Sequence, residues 1–162
     1  MKYLLLCLGL LMLSYATGQD TQLSEEEAAV KAVTLEVFDA MRASDSVRLK
    51  QCFYDDVTVF TSYTNRSGKA VLKSDEIQGF YTSVGTPHDG LYDERLGDYQ
   101  IKVDDNLASM WVDFYFFVDD NFSHCGVNYF QFFKTEDGWK IFFLSDTRKK
   151  KSCDVPDKAK LW

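Results

Sequence analysis

From Arg95 to Arg148 the chain runs through four long stretches rich in aromatic and β-branched residues, each cut from the next by a short polar turn. The stretches are Arg95 to Val103, Leu107 to Val118, Phe122 to Lys134 and Trp139 to Arg148. The turns are Asp104-Asp105-Asn106, Asp120-Asn121 and Thr135-Glu136-Asp137-Gly138. Connections this short join antiparallel neighbours, so the second half of the chain predicts a meander. Such a sheet needs a cover for one face, and the first half of the chain supplies it.

Ser24 followed by Glu27 forms a capping box, and Val30, Val33, Val37, Phe38 and Met41 then repeat at helical spacing to about Ala43. A second short helix is expected from an Asp45 cap to about Asp55, with Val47, Leu49 and Phe53 inward. Val57 to Tyr63 reads as a strand, Asn65 to Gly68 as a turn, and Lys69 to Leu72 as a short returning strand. Ser74, Asp75 and Glu76 open a third helix that carries Ile77, Phe80 and Val84 and stops at Gly85. Thr86 to Gly90, with Pro87 and His88, is a loop. Helices first and a meander afterwards predict an α+β domain with the helices gathered on one face of a curved sheet.

The amino terminus reads as a secretory leader: Lys2 is basic, Tyr3 to Leu13 is apolar, and Ala16 and Gly18 are spaced for cleavage before Gln19. The apolar run is too short to span a bilayer, so no membrane span is expected. Residues 1–18 are therefore assigned to the leader, 19–153 to one domain and 154–162 to a loosely ordered tail. With 25 acidic against 18 basic residues the chain lacks the basic face that nucleic acid requires. Three cysteines remain after cleavage, Cys52, Cys125 and Cys153. An oxidising compartment permits one bridge, and Cys125 with Cys153 is the expected pair because both lie near the end of one hairpin; the alternative leaves all three as thiols. No metal-site spacing and no cofactor motif is present, so neither a metal nor a cofactor is expected.

The order helix, helix, short hairpin, helix and meander, with Phe53-Tyr54-Asp55-Asp56-Val57 after the second helix and Asp137-Gly138-Trp139-Lys140-Ile141 at the last hairpin, resembles the nuclear transport factor 2-like superfamily. Ser123-His124-Cys125-Gly126-Val127 and the ending Asp146-Thr147-Arg148 resemble exported bacterial members of the SnoaL-like and lumazine-binding-like kind. The resemblance implies a cone-shaped fold of three helices on a curved antiparallel sheet, a pocket under the helices, and a homodimer through the outer sheet face. Ketosteroid isomerase shares the fold, but its motifs are not matched. Asn65-Arg66-Ser67 and Asn121-Phe122-Ser123 match glycosylation sequons, which the bacterial resemblance makes accidental.

Counting register from the turns sets Asp113 opposite Asn128 and Asn128 opposite Asp146, with Tyr115 and Arg148 in the next row and His124 beyond. Trp111 and Phe117 lie on the same strand face as Asp113 and Tyr115. These eight residues are the expected ligand-binding set, with Asp113 and Asp146 as candidate general bases and Tyr115 or His124 as donor to an oxyanion. The other reading of the row is a polar network that fixes strand register. His124 and Cys125, adjacent on a strand, point to opposite faces and form no dyad. The leading expectation is an exported domain that binds an unknown small molecule. An isomerase, dehydratase or cyclase using a pocket carboxylate is the alternative, and a periplasmic protein-interaction module is the third.

Overall fold

A computed structural model describes residues 22–160. The leader expected over residues 1–18 lies outside the described residues. The elements follow in the order α1 (Glu25–Arg42), α2 (Ser46–Gln51), β1 (Phe53–Thr64), β2 (Ala70–Asp75), α3 (Ile77–Gly85), β3 (Tyr92–Asp104), β4 (Leu107–Val118), β5 (Asn121–Thr135) and β6 (Gly138–Thr147), with a 3-10 turn at Asp157–Lys160.

The first helix starts where its sequence says it should. Ser24 Oγ accepts from the Glu27 amide at 3.2 Å, and Glu27 Oε2 accepts from the Ser24 amide at 2.8 Å. Together they satisfy two of the donors a helix start leaves unpaired. The apolar stripe of α1 is buried on the sheet, with the Phe38 ring edge-on to Phe130 at 6.2 Å and Thr34 Oγ1 against Met110 Sδ. The second helix is shorter than its sequence suggests. Phe53 is not its last inward residue but the first residue of β1, paired with Ile141, whose amide donates to the Cys52 carbonyl at 2.9 Å. Likewise Ser74 and Asp75 do not cap α3: they pair with Phe60 and Val59 at the end of β2, and α3 begins after Glu76 without a side-chain cap. In both places a sheet ladder takes backbone groups that local sequence would give to a helix.

The six strands form one sheet in the order β2-β1-β6-β5-β4-β3. It is mixed rather than wholly antiparallel, because β1 lies parallel to β6. The inner face carries Met110, Val112, Phe130, Phe132 and Ile141, all buried together with α1 and α2 in one core. The outer face carries Trp111, Tyr129 and Phe143. At the carboxyl end, a disulfide joins Cys125 to Cys153, and Lys149 continues a backbone bridge to Cys125. Ala159, which is fully buried, lies beside β3, where the Arg95 guanidinium donates to its carbonyl at 3.4 Å.

Two turns and two bulges set the register. The β4–β5 turn is Asp119-Asp120, with Asp119 in the left-handed region at φ 55° and bonded reciprocally to the Leu91 backbone. Ser123 is then an unpaired extra residue, since Phe117 meets Phe122 but Phe116 meets His124. The β5–β6 turn is Glu136-Asp137, and Phe142 is the extra residue on β6.

Candidate functional site

Strand alternation makes register decide which side chains share a face. Between β5 and β6 the tight turn and the bulge at Phe142 cancel, so Asn128 pairs with Asp146 as the sequence predicts. Between β4 and β5 they do not cancel. Asp113 pairs with Val127, and Asn128 pairs with Val112, so the expected row Asp113-Asn128-Asp146 does not form. The eight residues divide accordingly. Trp111, Asp113 and Tyr115 lie on the outer face, Asp113 and Tyr115 against Gly97, where an added Cβ would meet them at 2.8 and 2.9 Å. Phe117 is buried beneath the Arg95 guanidinium, 4.0 Å from its ring centre. His124, Asn128 and Asp146 lie on the inner face, and Arg148 reaches it from just past the end of β6.

On that inner face the polar groups meet as a trio and a pair. Asp146, buried, accepts from Thr61 Oγ1 at 2.5 Å and from Arg148 Nε at 2.6 Å. Asn128, also buried, donates from Nδ2 to Oε1 of Glu94 at 2.6 Å. Glu94 stands opposite Phe116 on β3, on the face that also carries Leu96 and the core. It keeps a partial opening to solvent, yet its carboxyl is densely surrounded by protein. Burial pushes the Glu94 carboxyl up to about 7; the Asn128 amide opposes this, the Asp146 charge adds to it and Arg148 opposes it. His124 packs against Phe116 and Phe114, with centroids at 4.9 and 5.7 Å, and its Nδ1 lies 3.0 Å from Ser123 Oγ. Burial, then Arg148, holds the imidazole below its ordinary value, favouring the neutral ring.

An aromatic wall continues from this cluster. Phe116 touches Tyr92 edge-on at 5.5 Å, and His88, from the loop after α3, stacks on Tyr92 at 3.7 Å. The sequence reading missed Glu94, Thr61 and the placement of His88. It began β3 at Arg95, three residues late, although the alternation Tyr92, Glu94, Leu96 already carries an acid among inward apolar residues. Chemically, a shielded carboxyl that titrates near neutrality can hold or release a proton at working pH, and a neutral histidine can donate or accept beside it.

Two open grooves lie elsewhere. One of about 510 Å³ runs between α1 and the β5–β6 turn, past Glu26, Val33, Lys134 and Trp139. Within it, Glu26 accepts from Lys134 Nζ and from Trp139 Nε1. The other, about 460 Å³, is lined by Gln100, Lys102, Ser109, Trp111 and Tyr129 on the outer face. The raised Glu94 carboxyl makes its cluster, and not the grooves, the candidate site. Among the described residues no cluster of three His, Cys, Asp or Glu side chains could hold a metal ion, and no helix is long and apolar enough to cross a membrane.

No family model matches the chain, and no curated protein matches it by sequence. Solved structures do match. An NTF2-like protein with a cystatin-like fold from Novosphingobium aromaticivorans aligns with a TM-score of 0.62 at 12% identity, covering 80% of this chain and 85% of that one. The fold is nuclear transport factor 2-like. A cystatin-like-fold protein of unknown function from Nostoc punctiforme aligns with a TM-score of 0.62 at 13% identity over 83% of this chain and 99% of that one. A candidate dehydratase of the NTF2-like family from Streptomyces avermitilis aligns with a TM-score of 0.58 at 16% identity over 75% of this chain and 94% of that one. Identities this low carry the NTF2-like architecture and leave the chemistry to the residues.

Proposed function

We propose that this protein binds a small organic molecule on the inner face of its NTF2-like sheet, with the Glu94–Asn128 pair as the polar floor and Phe116, Tyr92 and His124 as an aromatic wall. The observation that carries this reading is the Glu94 carboxyl, shielded among core residues and raised to about 7. A group so costly to bury favours a ligand that can share its proton or its lone pairs. The test is a carboxyl-carbon NMR titration of Glu94, followed by fragment screening against the native protein and Glu94→Gln. An apparent pKa near 7 and hits that weaken in the variant support the reading. A Glu94 that titrates like a free glutamate, with no hits on the inner face, reduces the cluster to a register-fixing network.

A second reading is favoured by the same pKa. Glu94, in place of Asp113 or Asp146, is the general base or acid of an isomerase, dehydratase or cyclase type of reaction, because proton transfer is fastest when the catalytic pKa lies near the operating pH. Its test is a rate that disappears in Glu94→Gln and has a pH profile breaking near 7.

Two further proposals concern the setting. The Cys125–Cys153 disulfide supports an exported, oxidising location. The mass of the mature chain, before and after reduction, tests both leader removal and the bridge. The outer face supports a homodimer: Trp111 is 50% exposed, and the rings of Trp111, Tyr129 and Phe143 run side by side with centroids at 6.0 and 6.2 Å.

A further inference from the structure

Among the described side chains, one buried polar atom has no hydrogen-bond partner in the protein: Nε2 of His88. Two contacts hold its ring. Nδ1 lies 2.5 Å from the Gly90 carbonyl, and since a carbonyl only accepts, Nδ1 carries the hydrogen there. In the neutral ring Nε2 is then a bare lone pair. The ring plane is fixed by its 3.7 Å stack on Tyr92, at an interplanar angle of 8°. Tyr92 is two residues before Glu94 on β3, hence on the same sheet face, and its ring abuts Phe116 of the inner wall.

We infer that His88 is a ligand-recognising residue of the inner site, its Nε2 accepting a hydrogen bond from a hydroxyl or N–H group on a flat, largely apolar ligand. The inference rests on the small-molecule reading of the Glu94 cluster and gives that reading a ligand class: a planar ring system bearing at least one donor. A buried acceptor left without a donor is unfavourable, and a ligand that supplies the donor removes that cost. The same logic gives discrimination. A ligand analogue in which the donor has been methylated leaves Nε2 unpaired and binds more weakly.

The experiment uses 2-naphthol and 2-methoxynaphthalene as probes on the full-length protein, the native form and the variants His88→Phe, His88→Gln and Glu94→Gln. His88→Phe keeps a ring to stack on Tyr92 and removes the acceptor; His88→Gln keeps an acceptor oxygen. Thermal melts check that each variant folds. The expected result is that 2-naphthol binds the native protein about tenfold more tightly than the methyl ether, shifts the His88 Nε2 nitrogen resonance, and loses that advantage in His88→Phe, with partial return in His88→Gln. Equal affinity of both probes for the native protein, or an unchanged preference in His88→Phe, overturns the role of His88. If probe binding still weakens in Glu94→Gln, the small-molecule reading survives that result. Failure of both probes to bind the native protein overturns the two together.

Discussion

Glu94 carries a pH dependence whose sign follows from its environment. The folded protein keeps the carboxyl protonated up to about 7, whereas an exposed glutamate releases its proton near 4.5. Between those values the folded state binds more protons than the unfolded one, so this group makes stability fall as pH rises from 4.5 towards 7. A fully buried group shifted this far would lose up to about 3 kcal/mol, and the partial opening to solvent reduces the expectation to about 1–2 kcal/mol. Urea denaturation at pH 5 and pH 8 should show Glu94→Gln gaining stability on the native protein as pH rises; parallel curves would contradict the assignment. At Gly126 an added Cβ would stand 1.7 Å from the Thr147 carbonyl oxygen and 2.7 Å from the Phe114 ring. Gly126→Ala should therefore cost at least about 3 kcal/mol, read as a lowered urea midpoint, because the closer neighbour is backbone and cannot turn aside. At this scale the sequence was partly legible. The pairing of Asn128 with Asp146 was legible because two register errors of opposite sense cancelled between β5 and β6. Asp113 was misplaced because Asp119 adopts a left-handed conformation and Ser123 bulges, neither of which a residue count can detect.

At the scale of elements, α1 was legible in full because cap, periodicity and burial agree. Ser24→Ala should lower stability by about 1 kcal/mol, measured by chemical denaturation, by leaving the Glu27 amide without its acceptor. The boundaries of α2 and α3 were not legible, since Phe53 and Ser74-Asp75 have good local reasons to be helical and better distant ones to join β1 and β2. The disulfide belongs to this scale as well. It closes a loop with a sequence separation of 28 and ties the carboxyl-terminal segment to β5. Cys153→Ser should cost about 3–4 kcal/mol by loop entropy and speed hydrogen exchange at the Lys149 amide, which donates to Cys125. Unchanged protection at Lys149 would mean that the backbone bridge holds without the covalent tie.

For the whole molecule, the exposed stripe through Trp111 leads to an expectation about assembly. Sedimentation should give a dimer, and Trp111→Glu should give a folded monomer, because Trp111 packs outside the core. A native protein that sediments as a monomer would remove the homodimer from the proposed function. The α+β class was legible because a helical half followed by a meander admits few packings. The strand order was not, because nothing local to Phe53–Thr64 says that it lies beside Gly138–Thr147.

That parallel pairing has a kinetic consequence. Thr61 and Asp146 are bonded across a separation of 85 residues, and β1 has no neighbour other than the β2 hairpin until β6 arrives. The meander can form early from nearest neighbours, but the sheet closes last, at the seam between its oldest and youngest strands. Until then β1 offers a bare edge to any other extended chain. Refolding yield should consequently fall with protein concentration more steeply than the sequence of short turns alone would suggest.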